Sequence, residues 1–156
     1  MDVTGAMNEF RPELPDRVLA DVRKFYSEKL IDHAMNPRNV GEIPNADGYG
    51  SAVGSCNDSM EIWLRVRGGR LLEVRFWTEG CAETIAAGSA LTEMAKGKSP
   101  LEALKIMPED VIAALDGLPP QSHHCAALAV NALRAAIQNY FALEREPWKR
   151  LYQAGK

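Results

Sequence analysis

The chain has 156 residues, a net charge of -3, 46% hydrophobic residues and 25% charged ones. That is the size of one ordinary domain able to bury its own core. The acidic balance excludes a general phosphate-binding surface, and no apolar run nears the roughly 18 residues that cross a membrane. Neither nucleic acid nor membrane is therefore expected as a partner. The opening MDVTGAMNEFRPELPD lacks the pattern of a signal or transit peptide, so a cytoplasmic location is expected.

Residues 1–14 are polar and unpatterned and read as a mobile tail. A single domain is expected over 15–147, followed by a C-terminal tail over 148–156. From Val18 through Val22, Phe25, Tyr26 and Leu30 to Ala34, apolar residues recur at helical spacing, which predicts one long helix ended by Pro37. A Gly-rich loop then leads to a short strand near Tyr49 to Gly54. The period changes to two for Met60, Ile62, Leu64 and Val66, and again for Leu72, Val74, Phe76 and Thr78. This is a hairpin with one buried face. A three-residue loop, Gly68 to Arg70, sets Leu64 opposite Val74, Ile62 opposite Phe76 and Arg65 opposite Glu73, which keeps the faces matched. Trp63 and Trp77 fall on the outer face, either packed under a helix or marking a partner surface.

A helix follows from Ala82 to a terminator at Gly97, with Ile85, Gly88, Leu91, Met94 and Ala95 along one side. Ser99-Pro100 starts a short helix, and Pro108 starts another through Leu115. The last helix opens near Ser122 and stops at Pro147, with Leu128, Ala129, Ala132, Leu133, Ala136, Ile137 and Tyr140 facing the core. The expected fold is α+β: a small three-stranded antiparallel sheet against about five helices, with long N- and C-terminal ones.

The three cysteines, Cys56, Cys81 and Cys125, form no C-x-x-C pair, and an odd number cannot close a disulfide framework. Each falls at the end of an element. Cys81 and Cys125 stand at helix starts, where partial positive charge favours thiolate. Asp58 lies two residues after Cys56, and His124 adjoins Cys125. Three thiolates plus a carboxylate or imidazole suit tetrahedral zinc or the outer ligands of a 2Fe–2S cluster. Asp58 could equally close a turn on its own backbone. His123 reads as a solvated loop side chain.

The stretches YSEKLIDHAMNPRNVG, GSCNDSMEIWLRV, FWTEGCAETIAAGSALTEMAKGK and LPPQSHHCAALAVNALRAAI together resemble the IscU/NifU-type iron–sulfur cluster scaffold proteins. The resemblance runs from about Phe25 to Tyr140. It implies that Cys56, Cys81 and Cys125 are cluster ligands, with Cys125 the sulfur acceptor. It further implies Asp58 for iron entry and cluster release and His124 as a further ligand. A 2Fe–2S cluster would be assembled and passed on, without turnover of an ordinary substrate, leaving room for zinc in the cluster-free form. Implied partners are a cysteine desulfurase, iron and electron donors, apo iron–sulfur proteins and a second copy in a homodimer.

Two departures stand out. The family's Cys-Gly-Asp is Cys56-Asn57-Asp58 here, and asparagine is the next best residue for a left-handed turn. The Leu-Pro-Pro-Val-Lys that accompanies an HscA-type chaperone is Leu118-Pro119-Pro120-Gln121-Ser122 here, which speaks against that dedicated chaperone. His124 and the lack of an insertion after the hairpin resemble the IscU side more than the zinc-holding SufU side. Two other readings compete: a zinc-stabilised binding module, and an enzyme with an activated cysteine. Adjacency of His124 and Cys125 supports the enzyme weakly, because neighbours on a helix do not face each other.

Overall fold

The computed structural model describes residues 15–55 and 57–153. The expected tail over 1–14 and the expected ligand Cys56 lie outside the described residues. Two short helices, α1 (Asp16–Val22) and α2 (Glu28–Met35), precede three strands, β1 (Gly48–Val53), β2 (Ser59–Arg67) and β3 (Arg70–Thr78). Then come α3 (Ala82–Ala95), α4 (Pro100–Ala103), α5 (Pro108–Ala114), a 3₁₀ turn at Pro120–Ser122 and the long α6 (His123–Arg145). A second 3₁₀ turn at Pro147–Lys149 and α7 (Arg150–Gln153) end the described chain. The α+β architecture expected from the sequence is the one observed. None of the described helices is long and apolar enough to cross a membrane.

The long N-terminal helix is broken. Ser27 takes an extended conformation and caps α2, its Oγ accepting from Leu30 N at 3.0 Å. The same hydroxyl donates to the carbonyl of Leu115, which ties the break to the end of α5. Serine competes with the helical backbone for hydrogen bonds, so a cap with a tertiary partner wins over apolar periodicity. At the other end, the segment expected as a tail carries α7, where Arg150 Nη2 donates to Glu144 Oε1 at 2.7 Å.

The sheet order is β1-β2-β3, antiparallel throughout. Ile62 pairs with Phe76, Leu64 with Val74 and Arg65 with Glu73, the register that face matching predicts. The connection differs. Arg67 pairs with Arg70 across a two-residue Gly68-Gly69 turn, both glycines at positive φ (59° and 74°). The odd residue is absorbed by a bulge, since Val66 pairs with Leu71 and Arg65 with Glu73. Leu71 is therefore buried, and Leu72, expected inside, is 52% exposed.

The inner face, with Met60, Ile62, Leu64, Val74 and Phe76, is buried against α3 and α6. Burying a side chain such as Phe76 contributes about 1.5–3 kcal/mol. β1 touches α6 almost backbone to backbone. A Cβ on Gly50 would stand 2.2 Å from the Ala136 backbone nitrogen. The outer edge of β3 is covered by the loop after α2, through Phe76 N–H to Asn39 O and Gly41 N–H to Phe76 O, both 2.9 Å. A covered edge offers no strand for aggregation. On the outer face Trp63 is buried beside its cross-strand partner Tyr49, ring centres 5.4 Å apart, whereas Trp77 stays exposed.

α3 is buried almost all round, which its small residues Ala86, Ala87, Gly88, Ser89 and Ala90 allow. Its buried hydroxyls are bonded. Thr92 donates back to Gly88 O at 2.8 Å, and Ser89 Oγ accepts from Arg38 N at 2.9 Å while lying 2.7 Å from His33 Nδ1.

Candidate functional site

Three element ends meet at one end of the sheet. The first is the β1–β2 turn, closed by Gly54 N–H to Asp58 O at 2.7 Å. Asn57 in that turn has φ 61°, the left-handed conformation expected for a residue replacing glycine. The second is the start of α3, where Cys81 is the exposed N-cap, held by Ile85 N–H to Cys81 O at 3.0 Å. The third is the first turn of α6, which carries His124 and the buried Cys125.

The meeting point is a residue that sequence reasoning missed. Thr84, fully buried in the first turn of α3, places Oγ1 3.2 Å from Asp58 Oδ2 and 3.4 Å from the sulfurs of both Cys81 and Cys125. His124 Nε2 lies 3.6 Å from Cys125 Sγ. The two neighbours were expected on different sides of the turn. In a first turn the imidazole has room to fold back, and it does. His123, the expected bystander, is exposed, with its ring 3.0 Å from the Leu118 carbonyl.

Burial pushes the Cys125 thiol up to about 11, against a smaller opposing effect of the Thr84 hydrogen bond. Removal from water is the largest influence on this thiol and acts against the thiolate. Glu83, also missed, is half-buried beside Cys81. Burial pushes its carboxyl up, but hydrogen bonds from Cys81 and from Tyr26 OH (2.8 Å), with the nearby His124, hold it below the usual carboxylate range. The signal for both residues was their polarity in the first turn of the helix, ahead of the apolar run Ile85-Ala86-Ala87.

Asp58, Cys81 and Cys125 thus approach one hydroxyl, with His124 against Cys125. Among the described residues, however, no three such side chains are close enough to hold a metal ion as they stand. The donor chemistry, two thiols with an imidazole and a carboxylate, suits zinc or iron.

A small α+β domain with sulfur, imidazole and carboxylate donors at one end of its sheet is the class that fold and site define. The NifU-like N-terminal domain family matches residues 25–146, and the chain belongs to that family. It is 52% identical over 119 residues to iron–sulfur cluster assembly scaffold protein IscU 1 of Archaeoglobus fulgidus, covering 75% of this chain and 77% of that one. It is 46% identical over 120 residues to the IscU scaffold protein of Escherichia coli, covering 74% of this chain and 93% of the other. Among solved structures, a SUF-system scaffold protein of Fervidobacterium islandicum superposes with a TM-score of 0.61 at 24% identity, over 72% of this chain and 96% of that one. The N-terminal part of a NifU-like protein of Brucella abortus also reaches 0.61, at 16% identity, over 78% and 97%. At these identities the structures speak for the fold.

Proposed function

We propose that this protein is a scaffold on which an iron–sulfur cluster is built and then handed on, and not an enzyme with turnover of its own. The carrying observation is the convergence of Asp58, Cys81 and Cys125 on the Thr84 hydroxyl, with His124 against Cys125. Membership of a family whose relatives are named as such scaffolds supports it.

In this reading Cys56, Cys81 and Cys125 hold a 2Fe–2S cluster, and Asp58 or His124 takes the fourth place. A carboxylate or imidazole among thiolates makes a shell that exchanges ligands, which suits cargo that must leave. Zinc is accommodated by the same donors in the cluster-free form. Sulfur arrives from a cysteine desulfurase. Once exposed, the Cys125 thiol gives its proton to solvent and the thiolate attacks the terminal sulfur of the desulfurase persulfide, a new S–S bond forms, and the desulfurase thiolate leaves. Cys125 is 1% exposed while Cys81 is open to solvent, so this delivery requires the first turn of α6 to open. Iron and electron donors and apo-proteins complete the partners, in a reducing compartment such as the cytoplasm, with a homodimer as one form of the loaded protein. Gln121-Ser122, in place of Val-Lys, argues against a dedicated HscA-type chaperone.

The test is anaerobic incubation with ferrous iron, cysteine and a desulfurase, followed by visible and Mössbauer spectra. A 2Fe–2S signature is expected. Failure to form any cluster overturns the reading.

A further inference from the structure

We propose that Thr84 is the positioning residue of the cargo site, its buried hydroxyl gathering Asp58, Cys81 and Cys125 around one oxygen before metal arrives. The inference rests on the scaffold reading and adds to it a residue that touches no cargo in its role. Thr84 Oγ1 has three polar neighbours at 3.2, 3.4 and 3.4 Å, drawn from the β1–β2 turn, the cap of α3 and the first turn of α6. It is 0% exposed, so water does not compete for the hydroxyl.

The capacity of the hydroxyl matches the set. It has one proton and two lone pairs, so it donates to Asp58 or to Cys125 and accepts from the thiol protons that remain. Thr84 thereby links the two thiols to the carboxylate in the empty protein. Hydrogen-bonding partners that orient metal ligands in this way carry about 10–100-fold in affinity.

A second, independent observation shows that the chain is shaped around this side chain. A Cβ on Gly80 would lie 2.9 Å from each of Thr84 Cβ, Cγ2 and Oγ1. The residue before Cys81 is thus bare where Thr84 stands.

The experiment measures zinc affinity of the full chain by competition with a chromophoric chelator, for wild type, Thr84→Ser, Thr84→Val and Thr84→Ala. Hydroxyl and volume are separated by this series. Serine keeps the hydroxyl and loses the methyl, and valine does the reverse. We expect Thr84→Ser within a few-fold of wild type and Thr84→Val weaker by about tenfold or more. If valine fails to fold, serine against alanine isolates the hydroxyl. Valine equal to wild type with serine impaired would mean packing alone and would overturn the proposal. So would four equal affinities, or a wild type that holds no zinc. Cluster assembly by wild type is scored separately, and its failure sinks the scaffold reading while the zinc series still decides Thr84.

Discussion

Replacing Gly80 by alanine tests how tightly the site is built. Gly80 does not occupy the left-handed region, so its backbone tolerates alanine. On unfolded-state entropy alone the change would stabilise the protein by about 0.4–1 kcal/mol. The added Cβ, however, stands 2.9 Å from three atoms of Thr84, closer than side-chain carbons approach. Thr84 is fully buried and cannot swing into solvent. Overpacking of this kind costs about 1–3 kcal/mol, so a net loss of about 1–2 kcal/mol is expected. Adding Thr84→Ala removes two of the three crowded atoms, Cγ2 and Oγ1. The double variant should then lose less than the sum of the single losses, by more than about 0.5 kcal/mol. Urea unfolding of the metal-free protein reads both numbers as midpoint shifts at constant slope. A Gly80→Ala protein more stable than wild type, or strictly additive singles, would refute the steric argument.

Two further outcomes follow from the same geometry. Asp58→Ala should leave a cluster that outlasts the wild-type one against a chelator, and equal loss rates would remove the aspartate from cluster release. His33 provides a pH dependence away from the site. Burial first, then the Arg38 charge, holds its imidazole below the ordinary value, and its Nδ1 faces the Ser89 hydroxyl at 2.7 Å. Asp32 and Glu93 oppose the shift, and Lys29 adds to it. The folded state therefore favours neutral His33. Its contribution is full above the ordinary pKa of 6.5 and is lost as pH falls through the depressed folded value. His33→Gln should flatten the stability profile between about pH 7 and 5, and an unchanged slope there would count against it.

Some of the molecule was readable in one dimension. The pairing of Ile62 with Phe76 and Leu64 with Val74 follows from alternation, because side chains on a strand point to opposite faces whatever the rest of the chain does. The left-handed Asn57 and the caps at Ser99 and Cys81 are equally local. Local rules failed where two solutions cost nearly the same. A three-residue loop and a two-residue turn with a bulge give one register, and the bulge decided that Leu71 and not Leu72 is buried. Helical periodicity from Val18 to Ala34 could not register the hydrogen bond from Ser27 to Leu115, 88 residues away, that breaks the helix.

The sequence by itself determined which donors the protein owns and that Cys81 and Cys125 stand at helix starts. Only the tertiary structure decided that they meet, and on what. Thr84 is 26 residues from Asp58 and 41 from Cys125, and no periodic signal spans such gaps. The same packing that buries Ile62 and Phe76 beneath α3 and α6 brings the first turns of both helices to one end of the sheet. Burial there raises the Cys125 thiol, an outcome set by removal from water and therefore by the fold as a whole.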